Sequence, residues 1–250
     1  MFGNLTKFIN QYRTSDKTRY NWQSLHGGKF YIPPDKKNEF KKCFIDAHPH
    51  FSDKDYVSLV WKCRDKQIPL HLDFDIITRE CTIIPDEVFI NIAEEISDIV
   101  SYEVRMGNFN VILERKQKPY PRKFEYEGNT IDAWKTGFHA LFIGFLVPEE
   151  TAKRIREKSL CLFGELATKY NIINKIEDIN DQSIRPIGSN GVLLTGCRKP
   201  KRGGNTDVYS FFFSATFNYN DTWTNIEHHK PCDTTKLIEK HFDDLWGFVW

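Results

Sequence analysis

"IPLHLDFDIITRE", residues 68–80, sets two carboxylates, Asp73 and Asp75, one residue apart inside an apolar run. In a strand, residues i and i+2 project to one face, so Asp73 and Asp75 point together while Leu72, Phe74 and Ile76 pack the other way. The apolar flanks predict a central strand rather than an edge one. Two ionised carboxylates so close repel each other, and burial adds a desolvation cost. A divalent cation removes both penalties, and hard oxygen donors suit magnesium or manganese. The competing reading is an exposed strand with two solvated acids, which the apolar flanks weaken.

Working outward, "HGGKFYIPPDKKNEF" reads as a Gly-Gly turn, a short strand from Lys29 to Ile32 and a helix entered through Pro34 and Asp35. "DYVSLVWKC" is β-branched and aromatic, a further strand before the aspartates. After them, Val88, Phe89, Ile92, Ala93, Ile96, Ile99 and Val100 fall at helical spacing behind Pro85. "NFNVILER" and "FHALFIGFLV" predict strands, and the Pro-broken "ERKQKPYPRKFEYEGN" between them predicts a basic connection. "VPEETAKRIREKSLCLFGELATKY" predicts one amphipathic helix, "GVLLTG" and "DVYSFFFSATF" the last strands, and "TTKLIEKHFDDLWGF" a C-terminal helix. Strands and helices interleave without a strict βαβ beat. The expectation is therefore an α+β fold, a mixed β-sheet with packed helices. It forms a single domain over residues 1–250: an N-terminal extension (1–55), a core (56–217) and a C-terminal helical region (218–250).

Composition narrows the class without naming a function. The chain has 250 residues and a formal net charge of +1, so no global field commits it to nucleic acid and any basic surface is local. Twenty Phe, ten Tyr and six Trp suit a packed core. The N-terminus lacks the pattern of a secretory signal, and no apolar run is long enough to span a membrane, so a soluble intracellular protein is expected. The six cysteines contain no C-x-x-C pair, which predicts no zinc site and reduced, mostly buried thiols.

Two further stretches carry chemistry. In "KTGFHALFIGF", His139 opens an apolar strand after Gly137, where an imidazole can donate to an anionic oxygen, and Lys135 lies four residues earlier. A satisfied core histidine is the competing reading. Later, Asp178 and Asp181 sit in a polar run, followed by a glycine-containing basic loop with Arg198, Lys199, Lys201 and Arg202. Such a loop can bring cations and backbone amides to a polyphosphate or to template phosphates, and an ordinary solvated hairpin loop is the alternative.

Taken in order, "LHLDFD", "GFH", a third acid and a Gly/Lys loop resemble the archaeo-eukaryotic primase superfamily. "SLHGGKFYIP", "KTGFHALF" and "LLTGCRKP" are similar to the N-terminal primase domains of the primase–helicases of nucleocytoplasmic large DNA viruses, and the likeness spans roughly residues 20 to 215. The resemblance implies a palm of RNA-recognition-motif type and a DNA primase making short primers on a single-stranded DNA template from nucleoside triphosphates. It implies a two-metal site for Mg²⁺ or Mn²⁺ at Asp73, Asp75 and a third acid, Asp181. His139 would bind the incoming triphosphate, assisted by Lys135, Lys199 and Arg198. A fused or associated replicative helicase is implied as partner, and no membrane; if the chain is viral, it works at the replication site in host cytoplasm or nucleus.

The pattern departs from the family in three places. Asn180 rather than an apolar residue precedes Asp181, and the spacing to "TGCRK" is one residue longer, which leaves Asp178 as an alternative ligand. Leu193 and Leu194 stand where the family has an Arg, a role that Arg185 or Arg198 could take over or that this chain has lost. Other readings remain: a nucleic-acid-binding module that kept the fold without catalysis, or a D-x-D phosphotransferase or phosphatase, although Ile77 stands where a haloacid dehalogenase-type phosphatase has Thr. "HPH" at residues 48–50 could be the metal pair of a rolling-circle nicking enzyme, with Tyr102 a poor nucleophile for it. The chain has no G-x-x-x-x-G-K-[ST] phosphate loop of its own. Its basic stretch from Arg115 to Lys123 could follow template phosphates or be a solvated loop.

Overall fold

The computed structural model of the chain describes residues 2–16, 19–24, 27–50, 59–61, 67–180, 192–193, 195, 209–218, 220 and 222–250. Its elements in chain order begin with α1 (Phe2–Gln11), β1 (Arg13–Thr14), β2 (Trp22–Ser24), β3 (Lys29–Phe30), α2 (Lys37–Ala47) and β4 (Leu59–Trp61). Then come β5 (Gln67–Thr78), α3 (Asp86–Val104), β6 (Phe109–Arg115), β7 (Tyr120–Tyr126) and β8 (Asn129–Pro148). Next are α4 (Glu149–Ser159), α5 (Gly164–Lys169), α6 (Ile176–Ile179) and β9 (Val192–Leu193). The last are β10 (Ser210–Asn218), β11 (Thr222–His228) and α7 (Thr234–Trp246). The class is α+β as the sequence predicts.

The chain divides into two compact units. One is built from Met1–Lys66, Arg185–Ser210 and Lys230–Trp250. Its small sheet runs in the order β1-β3-β2-β4-β9. An aromatic cluster holds it together: Phe40 lies 4.9 Å from Trp22 and 6.2 Å from Phe242, and Trp246 packs edge-on against Phe44. His48 is held here, its Nδ1 2.8 Å from the Thr235 hydroxyl, and burial pushes its pKa down to about 4. His48 is therefore a neutral histidine packed inside this unit. Tyr102, on α3 of the other unit, is exposed.

The second unit, Gln67–Ile184 with Phe211–His229, carries the aspartates. Its sheet runs β11-β10-β6-β8-β5, with β7 also paired to β8. The β11–β10, β6–β8, β5–β8 and β7–β8 pairs are all antiparallel. α3 starts behind Pro85, with Asp86 and Glu87 in its first turn, where the helix dipole favours acids, and it ends on Arg105 in the left-handed conformation. One face of the sheet packs its core: Phe138 stacks on Phe74 at 4.7 Å and on Phe89 of α3 at 4.8 Å, and Phe163 stacks on Phe74 at 5.1 Å. The helix expected from 147 to 170 is broken. The Ser159 hydroxyl donates back to the Arg156 carbonyl, a 3₁₀ turn follows over Leu160–Phe163, and α5 resumes at Gly164.

Two other expectations change. The Pro-broken connection after β6 contains a strand, β7, because Glu127 and Gly128 both take positive φ (50° and 77°) and close a tight hairpin onto β8. Among the described cysteines, Cys81, Cys161 and Cys232 are exposed and Cys43 half-buried, rather than mostly buried. Cys43 sits in the middle of α2, and Cys161 and Cys232 in 3₁₀ turns. Cys63 and Cys197 lie outside the described residues. No described helix is long and apolar enough to cross a membrane.

Candidate active site

Register assembles the site. β5, β8 and β6 run side by side, with Asp73 opposite His139, Asp75 opposite Gly137, and Glu114 opposite His139 from the other flank. Facing residues of an antiparallel pair share a side of the sheet, so Asp73, His139 and Glu114 form a row across three strands. Asp75 and Lys135 stand beside it. The opposite side of the same strands is the Phe74–Phe138 core, which is why these polar groups cannot turn away from one another.

Gly137 makes the close pairing possible. Its φ is 154°, and a Cβ at that position would lie 1.8 Å from the Phe74 carbonyl oxygen. The small residue two before His139 is therefore a site of backbone-on-backbone approach between β5 and β8.

The His139 ring is gripped from both sides. Its Nδ1 lies 2.6 Å from Glu114 Oε1 and its Nε2 3.2 Å from Asp73 Oδ1. Burial alone would lower its pKa, but the Asp73 and Glu114 carboxylates outweigh burial and push it up to about 9. The ring is an imidazolium at neutral pH: its Nδ1–H donates to Glu114, and its Nε2 side is ion-paired with Asp73. Lys135 Nζ contacts Asp75 Oδ2. Burial opposes the Lys135 charge, yet Asp75 holds its pKa above the usual value. Burial, then Asp73, raises the pKa of Asp75, and Lys135 partly offsets this. Tyr120 faces Lys135 from β7, its phenol pushed up by burial.

The donor chemistry suits a divalent cation. Three carboxylates, Asp73, Asp75 and Glu114, face two cationic side chains, Lys135 and His139, so the cluster retains negative charge. The oxygen pair at Asp73 and Asp75 fits Mg²⁺ or Mn²⁺. Beside it, His71, Glu114 and His139 place their ring nitrogens and carboxylate oxygen within 4.8 Å of one another, but as an imidazolium His139 has no lone pair to offer a metal ion, so the set favours no softer ion while that ring is charged. His71 is pushed down to about 4 by burial, then by the neighbouring His139, and so stands neutral.

β5 ends the sheet order rather than lying in its middle, because its outer edge is occupied by the chain that follows α5. Asn174 Nδ2 donates to the Asp75 carbonyl and its Oδ1 accepts from Ile77 N–H, both at 2.9 Å. Asn180 then forms a β-bridge with Phe74, the residue between the two aspartates, while Arg156 donates to the Asn180 carbonyl. Asp178 is exposed in the first turn of α6. Asp181, Arg185, Arg198, Lys199 and the rest of the basic glycine loop lie outside the described residues.

The row thus contains Asp73, Asp75, His139 and Lys135 from the motifs, plus Glu114, His71 and Tyr120, which the motifs do not include. Their signal is alternation alone: Glu114 is a lone acid in the apolar run "NFNVILER", and His71 precedes Asp73 by two.

A family model described as the C962R protein N-terminal AEP domain, AEP being archaeo-eukaryotic primase, matches residues 21–211. No curated protein matches the chain.

Proposed function

The chain belongs to the family of C962R-type N-terminal archaeo-eukaryotic primase domains, and from that membership we propose that it is a template-directed nucleotidyl transferase, a DNA primase starting chains on single-stranded DNA. The observation that carries this reading is the pairing of Asp73 and Asp75 on one sheet face, directly across from His139 and beside Lys135. A module that only bound nucleic acid would have no use for so costly a buried charge cluster.

In this reading Asp73 and Asp75 are metal ligands, and the third acid is Asp181. The bridge from Asn180 to Phe74 favours Asp181 over Asp178, since the chain crosses β5 one residue before position 181, whereas Asp178 is exposed on α6. Bound Mg²⁺ or Mn²⁺ would activate the attacking 3′-hydroxyl oxygen and neutralise the pyrophosphate. His139 supplies a fixed positive charge, and its Nε2–H, ion-paired with Asp73 in the free protein, would turn to a triphosphate oxygen once Asp73 engages a metal ion. Lys135 offers a second cation, which exchanges Asp75 for phosphate, and Lys199 and Arg198 add charge from the basic loop. The primase–helicase association of the family makes a replicative helicase the expected partner, with action at a viral replication site.

The test is primer synthesis without a primer, on single-stranded DNA with Mn²⁺ or Mg²⁺ and labelled nucleotides. Wild type should give short products; Asp73→Ala and Asp75→Ala should lose them by at least about a thousandfold, the scale of losing a catalytic metal ligand. Products that persist in both variants would remove the metal assignment. Retained DNA binding with no product under any nucleotide mixture would favour the binding module.

A further inference from the structure

We propose that the β7–β8 hairpin carries a stacking face for the single-stranded template, continuous with the aspartate site; the choice of partner rests on the primase reading. Register defines the face. Tyr120 is opposite Lys135, Arg122 opposite Ala133, Phe124 opposite Ile131 and Tyr126 opposite Asn129. Lys135 touches Asp75, so alternation places Tyr120, Arg122, Phe124 and Tyr126 on the side of the sheet that bears the aspartates. The hairpin extends this side beyond the last β5–β8 pair, Thr78 with Trp134.

The chemistry of the face points to a polyanion with flat rings. Tyr120, Phe124 and Tyr126 are half-buried along one line, and Arg122 between them is exposed. Cations already sit on these rings: Lys116 Nζ lies 4.1 Å from the Tyr120 ring centroid, and the Arg79 guanidinium 4.8 Å from that of Tyr126. From Arg115 to Tyr126 the chain holds five basic residues (Arg115, Lys116, Lys118, Arg122 and Lys123) against one acid, Glu125, although the whole protein is nearly neutral. The reverse side of the hairpin has a different character. There Lys123 is paired with Asp132, and the Thr130 hydroxyl donates to Glu125. Aromatic side chains interleaved with cations are how proteins hold single strands without reading sequence, by base stacking along a basic track. A template strand laid on this face would run towards the aspartates.

The experiment measures anisotropy of a fluorescein-labelled fifteen-nucleotide dT strand with the full chain in EDTA, across a salt series. Phe124→Ala and Tyr126→Ala should each weaken binding roughly tenfold with the salt slope unchanged, as lost stacking does. Phe124→Trp should retain wild-type affinity, which separates stacking from damage to the hairpin. Arg122→Gln should lower the salt slope by about 0.7, the value for one phosphate contact on a single strand. Thr130→Ala, on the reverse side, should bind as wild type. Unchanged binding by both aromatic variants overturns the proposal. So does equal competition by poly-glutamate of matched charge, which would mark a surface for acidic polypeptide. Phe124-dependent DNA binding in a chain that makes no primers would support the face while removing the enzyme reading. Primer synthesis with Phe124-independent DNA binding would do the reverse.

Discussion

Glu114 is buried to 1% exposure and bonded to His139, so its carboxylate adds to that of Asp73 in holding the ring protonated. With two carboxylates around it, His139 stays cationic until about pH 9. Glu114→Gln keeps the shape and removes the charge. We expect the pKa of His139 to fall by roughly one unit or more, worth about 1.4 kcal/mol. Affinity for a nucleoside triphosphate, flat between pH 6 and 8 in wild type, should then begin to weaken about a unit lower. Histidine-selective NMR titration of the metal-free protein measures the first effect, and triphosphate binding against pH the second. The sign follows from the charge: the cation binds phosphate, and alkali removes it. Asp73, Asp75 and His139 were legible in the sequence because alternation and motif order point to them. Glu114 and His71 were not, since an acid or a histidine in an apolar run acquires a partner only when strand register is known.

The long strand β8 is the element on which the site depends, and Gly137 is its narrowest point. Gly137→Ala forces a Cβ against the Phe74 carbonyl and asks a non-glycine residue to hold a φ of 154°. β5 and β8 would have to part at the Asp75 register. The expected cost is about 2–4 kcal/mol, a fall of roughly 5–10 °C in Tm, readable by circular dichroism. At this scale the strongly patterned elements were legible: β5, α3, β6, the apolar half of β8 and α7. β7 was hidden because its two prolines, Pro119 and Pro121, look like breakers, yet Pro119 precedes the strand, and Pro121 sits on an outer strand, where a missing N–H is tolerated. The break after α4 was hidden for a different reason. Helical spacing continues through it in sequence, while packing of Phe163 on Phe74 and the Ser159 back-bond select the turn.

On the scale of the whole chain, neither unit is a continuous stretch, and this bears on how the molecule can be cut. The sheet with the aspartates takes β10 and β11 from residues far downstream of β5, and they bring buried Phe211, Phe213 and Phe217. Phe217 stacks on Phe109 of β6 at 4.9 Å, and Phe213 lies 5.0 Å from Trp223. A chain stopped after Ile184 loses both strands, leaves β6 an open edge and uncovers Phe109. A chain stopped after His229 keeps them and loses α7, which supplies Phe242 and Trp246 to the aromatic cluster around Phe40 and Phe44. Both truncations should therefore lose the aromatic cluster, and only the first should also lose the sheet that carries the aspartates. Hydrogen exchange should show residues 68–78 and 138–147 unprotected in the first, whereas in the second those segments stay protected and 37–47 exchange freely. Protection of 68–78 in the shorter chain would mean that β5 and β8 hold together on the α3 side alone, and that β10 and β11 add nothing to the stability of the aspartate face.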